Sequence, residues 1–313
     1  MGFYWFVIAA VIAGTVFGDD SCPSATELKP CTCDGEGVNC MLATSVDQIR
    51  TAFKANFKYG GVRSIWIQGT PITNVPADLF SGIRSQQFYI EVNNITSVDM
   101  DAFRSSNMSM ISLSFFGNKL STFPFGKLQE YKRLGSLNLG RNRFTSIPDN
   151  AFKSNSLGRL LLSQNGISHI GKNAFSGLPS LNELHLTYNQ LTTLGPESFS
   201  WQTNAPSLQI LLQANMISSV SKTAFQGTQP YGIQLGYNKL TSLQQDSFIE
   251  VVTKIVNKGG YLELNGNPLT CRGCDYTWLV LNKNTLQKTL PGFRCPDGTG
   301  LRDLTYSKIG CNP

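Results

Sequence analysis

The amino-acid sequence predicts an α/β solenoid stapled by disulfides at both ends. Three observations carry that prediction. Nine units of one apolar pattern recur at intervals of 23 to 29 residues, all eight cysteines lie outside those units with four at each end, and 41% hydrophobic against 15% charged residues suffices for a continuous core. A length of 313 residues alone would suggest about two domains, but a repeating chain lengthens without splitting, because each coil needs only its neighbours.

Taken in order, residues 1–18 (MGFYWFVIAAVIAGTVFG) are apolar and end in Val16-Phe17-Gly18, with small residues where a signal peptidase favours them. They read as a secretory signal peptide, with the mature chain beginning near Asp19. The segment has no Lys or Arg, so the competing reading is an uncleaved membrane anchor. No second apolar stretch of spanning length follows, and the expectation is a secreted, extracellular chain with no membrane span after cleavage. The net charge of +6 comes from 26 basic and 20 acidic residues scattered without like-charge runs, a balance that predicts solubility and no nucleic-acid partner.

The repeats follow the pattern L-x-x-L-x-L-x-x-N-x-L, with the N position at Thr70, Asn93, Asn118, Asn142, Asn165, Asn189, Asn215, Asn238 and Asn267. Leu181-Asn-Glu-Leu184-His-Leu186-Thr-Tyr-Asn189-Gln-Leu191 matches best. Two registers outside the pattern also stay apolar. Five residues past the N position stand Val75, Val98, Phe123, Ile147, Ile170, Leu194, Val220 and Leu243, and ten past it Phe80, Phe103, Leu128, Phe152, Phe175, Phe199, Phe225 and Phe248. Alternating residues such as Leu184 and Leu186 point inward from a short strand. The Asn sits where the chain turns out of that strand, and its amide both donates to and accepts from backbone groups otherwise buried unpaired. Thr70 does this only in part. The Phe column should form a continuous aromatic stack on the convex side.

Cys22, Cys31, Cys33 and Cys40 precede the repeats, and Cys271, Cys274, Cys295 and Cys311 follow them. An even count behind a signal peptide points to disulfides in an oxidising compartment. Each set of four permits three pairings. Cys271-Arg272-Gly273-Cys274 has the spacing of half a zinc site, but no second C-x-x-C follows and secreted thiols oxidise, so no metal or cofactor is expected. The expected organisation is therefore a signal peptide over 1–18, an N-terminal cysteine cap with its flanking segment over 19–61, nine repeats over 62–269, and a C-terminal cysteine cap over 270–313.

The nine units resemble extracellular leucine-rich repeats, whose period is about 20–29 residues. That resemblance implies a horseshoe with a concave parallel β-sheet. Cys22-x8-Cys31-x-Cys33-x6-Cys40 resembles the N-terminal cap of such proteins, with a longer first gap, and Asn267-Pro268-Leu269-x-Cys271-x2-Cys274 with Cys295 and Cys311 resembles the C-terminal cap. The family pairing would join Cys22–Cys33, Cys31–Cys40, Cys271–Cys295 and Cys274–Cys311. Two irregularities interrupt the repeats. One is Phe123-Pro-Phe125-Gly in place of the usual descent. The other is the segment 246–256 inside the longest interval, readable as a capped helix and expected to be surface decoration.

Catalysis is not expected. The only histidines are His169, in a turn, and His185, at an outward strand position, and no G-x-S-x-G, Walker A, G-x-G-x-x-G or H-E-x-x-H element occurs. Alternation instead predicts a concave binding face bearing Trp66, Tyr89, Phe116, Leu161, His185, Tyr188, Leu211, Tyr237 and Tyr261. Exposed aromatics on a rigid sheet anchor protein interfaces, although strands favour aromatics for packing as well. Nine strands span an arc of roughly 38 Å, enough for a partner contributing about 800 Å². Asn94-Ile-Thr96 and Asn107-Met-Ser109 are candidate N-glycosylation sites. The expected function is a secreted, non-catalytic protein-binding molecule with an extracellular protein partner. Overall layout is also similar to arthropod secreted repeat proteins akin to the non-catalytic subunit of a luciferin monooxygenase, which implies, as the alternative, stabilisation of a separate catalytic chain in a luciferase-like oxidoreductase complex.

Overall fold

A computed structural model describes residues 22–311. The expected signal peptide lies outside the described residues. Nine parallel strands, one per coil, build the concave sheet: Gly61–Gln68, Arg84–Glu91, Ser112–Ser114, Ser136–Asn138, Arg159–Leu161, Glu183–His185, Gln209–Leu211, Gly232–Gln234 and Tyr261–Glu263. At the N-terminal end the antiparallel hairpin Thr32–Asp34/Gly37–Asn39 joins them, its second strand parallel to Gly61–Gln68, so the sheet has eleven strands. Its register is continuous. Leu113, Leu137, Leu160, Leu184, Ile210, Ile233 and Leu262 are successive neighbours, all buried. The chain is a leucine-rich-repeat solenoid.

The asparagines hold the coils at that register. Asn142 Oδ1 accepts the Leu120 N–H of the preceding coil (3.0 Å), while its Nδ2 donates to Phe115 O (2.9 Å) and Leu139 O (3.1 Å). Equivalent bonds to the preceding coil recur at Asn118, Asn165, Asn189, Asn215, Asn238 and Asn267. Thr70 ends the ladder by donating its hydroxyl to Asn93 Oδ1 (2.8 Å). The asparagine bonds pair backbone groups that the stacked coils have removed from water.

Aromatic rings fill the convex side, but not as the single column the spacing predicts. Phe80 meets Phe103 (5.3 Å between centroids), and Phe152, Phe175, Phe199 and Phe225 follow at 5.5 to 5.8 Å. Leu128 leaves a gap that Phe115, Phe123 and Phe125 bridge, Phe125 reaching Phe152 at 4.5 Å. The irregular Phe123-Pro-Phe125 thus restores the stack where the column lacks a ring. Beyond Phe225, Phe248 is buried but makes no ring contact among the described residues.

Helix α1 (Val46–Ala52), capped by Ser45 accepting from the Gln48 N–H, covers the N-terminal end and buries Ile49 and Ala52. Helix α2 (Gln245–Asn257) corrects the reading of 246–256 as surface decoration. It buries Phe248, Val251, Val252 and Ile255, and starts at Gln245 without a side-chain cap. Helix α3 (Thr277–Leu286) closes the C-terminal end, where Leu262 N–H donates to Thr289 O (2.7 Å) and Trp278 Nε1 donates to Leu243 O (2.8 Å). Covering the edge strand Tyr261–Glu263 in this way removes a template for pairing with other chains. Disulfides join Cys22 to Cys33, Cys31 to Cys40, Cys271 to Cys295 and Cys274 to Cys311. Among the described residues no helix is long and apolar enough to cross a membrane.

Candidate protein-binding face

Because alternate residues of each strand point away from the core, the concave face is paved by columns running from coil to coil. Parallel register places Trp66, Tyr89, Ser114, Asn138, Leu161, His185, Leu211, Gln234 and Glu263 in one column. Five of the expected site residues lie there, but Ser114 and Asn138 split them. Trp66 and Tyr89 stack at 6.2 Å with planes 9° apart, whereas Leu161, His185 and Leu211 form a separate patch further along.

The other four expected residues occupy different columns. Tyr261 lies one column earlier, opposite Gly232, where an added Cβ would stand 2.7 Å from the Tyr261 ring. Glycine therefore lets the ring lie across the sheet, so that its hydroxyl donates to Gln209 Oε1 (3.1 Å) and accepts from Gln234 Nε2 (2.8 Å). Phe116 sits beyond its strand, within 3.3 Å of where a Gly140 Cβ would be, and the Arg141 guanidinium lies 5.4 Å from its ring centre. Tyr188 and Tyr237 stand immediately before their ladder asparagines at φ +56° and +55°, exposed to 63% and 69%. They line the edge where the chain leaves the strands. The nine expected residues are thus distributed over several clusters and not one stripe.

Polar side chains fix the face between those clusters. Gln68 donates to Glu91 (2.9 Å), Glu91 accepts from Ser114, and the Tyr89 hydroxyl donates to Gln87 (3.1 Å), fencing the Trp66–Tyr89 pair on both sides. Burial pushes the Tyr89 phenol up, and the Glu91 carboxylate adds to the shift. Arg159 binds both oxygens of Glu183 (2.9 and 3.1 Å), and His185 Nε2 lies 3.2 Å from the same carboxylate. Partial burial raises the Glu183 pKa, but the bonds from Arg159 and His185 outweigh it and hold the carboxyl below its usual range. These polar partners occupy outward positions two residues from the expected site residues, so the same alternation could have found them. Met41 and Leu42, exposed to 51% and 73%, follow Asn39, the strand neighbour of Trp66. They lie in the cap, outside any repeat, and so carried no periodic signal.

His169 is exposed in the two-residue convex strand His169–Ile170. Both candidate glycosylation asparagines are half-buried. Asn94 follows the ladder Asn93 with its N–H donating to Ile72 O (3.2 Å), and Asn107 ends the short helical turn Met100–Ser106 beside the exposed Met108.

A family model described as leucine rich repeat matches residues 132–191 and 155–210. Over 91% of its length the chain is 28% identical to the Oplophorus-luciferin 2-monooxygenase non-catalytic subunit of Oplophorus gracilirostris, 86% of which is covered. It is 26% identical over 72% of its length to osteomodulin of Rattus norvegicus, of which it spans 58%. Among solved structures, a chain of the octameric complex of latrophilin 3, Unc5D and FLRT2 superposes with a TM-score of 0.57 at 18% identity, covering 93% of this chain and 100% of that one.

Proposed function

Because the chain is a leucine-rich-repeat protein stapled by disulfides at both ends, we propose that it is a secreted, non-catalytic molecule that binds an extracellular protein on its concave face. The observation that carries this reading is the pre-positioned Trp66–Tyr89 pair, its rings stacked and its flanks held by Gln87 and by Gln68–Glu91. Large aromatic groups held in place before contact lose little conformational freedom on binding, and such residues dominate interface energetics. Four disulfides with no free cysteine among the described residues suit an oxidising compartment. His185 shares the Glu183 carboxylate with Arg159 on the sheet face, and the proposed role requires no cofactor.

A second reading is favoured by the extent of the similarity to the Oplophorus-luciferin 2-monooxygenase non-catalytic subunit, which covers most of both chains. On that reading the partner is a single catalytic chain that this protein stabilises. Affinity capture from native extracellular fluid separates the two, with a Trp66→Ala/Tyr89→Ala double variant as the control. One stoichiometric enzyme chain, lost with the variant, supports the subunit reading and the concave site together. Several unrelated extracellular ligands, lost with the variant, support the general binding reading. Partners retained in full by a correctly folded variant would place the interface elsewhere.

A further inference from the structure

The edge formed by the carboxyl ends of the concave strands has a composition of its own. On each coil, the residues just before and just after the ladder position flank a buried or half-buried side chain and face outward. From the second coil to the eighth they are Val92 and Asn94, Gly117 and Lys119, Arg141 and Arg143, Gln164 and Gly166, Tyr188 and Gln190, Ala214 and Met216, and Tyr237 and Lys239. This row contains no carboxylate. Lys119, Arg141 and Arg143 are exposed on the adjacent third and fourth coils, and none forms an ion pair among the described residues. The nearest carboxylate on the adjoining strands, Glu91, is already bonded to Gln68 and Ser114.

Arg141 is also oriented. Its Nε donates to Gln164 and its guanidinium lies 5.4 Å from the centre of the Phe116 ring, an arrangement that leaves the two terminal nitrogens free. A guanidinium fixed in this way is prepared for bidentate bonding to a carboxylate. Apolar groups bracket the basic segment along the same edge: Val92 (61% exposed) on one side, Tyr188 (63%), Met216 (44%) and Tyr237 (69%) on the other. Bulky residues in the left-handed backbone region are uncommon, yet Val92, Tyr188 and Tyr237 all adopt it at φ +54° to +56°.

We propose that this edge is a second interaction surface, distinct from the concave face, that takes an acidic protein segment whose carboxylates meet Lys119, Arg141 and Arg143 and whose apolar side chains meet the flanking residues. Two features favour a protein segment over a sulfated polysaccharide. The continuous basic stretch covers two coils, with Lys239 standing alone four coils further on, where a polyanion would be matched by a longer run, and the apolar groups on either side offer nothing to uniformly charged sulfates. The surface rests on the general protein-binding reading but not on the concave site.

The test uses the full secreted chain with three probes: a short synthetic peptide alternating glutamate and leucine, the same peptide with glutamine for glutamate, and a heparin oligosaccharide. Saturable binding of the acidic peptide that the glutamine peptide lacks, weakened about tenfold or more by Lys119→Glu/Arg143→Glu and reduced by added salt, supports the proposal. Lys222→Glu, a charge reversal of the same kind at one site beyond the convex strand Ser219–Val220, should leave binding intact, as should the Trp66/Tyr89 variant. Equal loss with Lys222→Glu, binding of the heparin oligosaccharide in preference to the peptide, or no acidic-peptide binding by a folded protein would each overturn it. Loss with the Trp66/Tyr89 variant alone would overturn the edge while sparing the concave site.

Discussion

Replacing Asn189 probes the interaction that sets the stacking of the coils. This side chain is 7% exposed; its oxygen accepts the Ile167 N–H (3.1 Å), and its nitrogen donates to Leu162 O (3.1 Å) and Leu186 O (3.0 Å). The three bonds are not equivalent. Leu162 O keeps a donor in Asn165 (3.0 Å) and Leu186 O keeps one in Asn215 (2.9 Å), so truncation strands chiefly the Ile167 amide. A buried donor without a partner costs about 1–3 kcal/mol, and the small void adds to it, so Asn189→Ala should lose about 2–3 kcal/mol. Asn189→Thr, which copies the residue of the first coil, should lose less because a hydroxyl retains one acceptor. Asn189→Asp keeps the acceptor but aims a carboxylate oxygen at two carbonyl oxygens, in a site that burial makes hostile to charge. Its folded-state pKa should therefore rise above the unfolded value. The sign follows: the aspartate variant is least destabilised below the unfolded pKa of about 4, and loses stability as pH rises through the folded value. Urea unfolding followed by circular dichroism at about pH 4 and pH 7, with disulfides intact, measures all four proteins. An alanine variant within about 0.5 kcal/mol of the parent, or an aspartate variant whose deficit does not grow with pH, would refute the assignment of the amide as a satisfied buried ladder.

The remaining predictions concern the aromatic stack, the concave carboxylate and the C-terminal cap. Phe175 touches Phe152, Phe199 and Trp201 in the core, so Phe175→Ala should cost about 3–5 kcal/mol and lower the secreted yield, whereas unchanged yield and unfolding midpoint would remove it from the stack. Arg159→Ala should raise the Glu183 pKa toward the ordinary carboxylate value, because the arginine bonds are the main opposition to burial; a carboxyl resonance titrating as in the parent would contradict that. Replacing both Cys274 and Cys311 with Ser opens a crosslink between residues 37 apart, for which loop closure gives a loss of about 4 kcal/mol, measurable against the parent in denaturant. Equal stability of the two proteins would mean that helix α3 and the Leu262–Thr289 bond hold the cap without the crosslink.

Most of the solenoid was legible because its physics repeats. The inward leucines, the asparagine ladder and the outward alternation each recur once per coil, so an error at one position is corrected by the others. Elements that occur once had no such check. Segment 246–256 sits outside the common interval and by spacing alone reads as decoration, yet it buries Phe248, Val251, Val252 and Ile255 against the last coils. The column likewise predicts an unbroken stack through Leu128, which has no ring, whereas the continuity there comes from Phe125 reaching Phe152 from a different chain position.

The candidate site divides along the same line. Alternation assigns a residue to the outward side, but it does not say in which column the side chain stands or toward which coil it leans. Those depend on the neighbour across the strand: Gly232 lets Tyr261 lie down toward Gln209, and Gly140 leaves room for Phe116 beside Arg141. Pairing each outward aromatic with its residue one coil away would separate the Trp66–Tyr89 pair from the edge tyrosines in the sequence itself. It would also expose the contrast that matters most for recognition. Near Trp66 the Glu91 carboxylate is held by Gln68 and Ser114, while Lys119, Arg141 and Arg143 on the adjoining edge have no countercharge. A partner that contacts both surfaces would therefore dock through the aromatics and select through its carboxylates, and salt should slow its association while leaving the dissociation set by Trp66 and Tyr89 nearly unchanged.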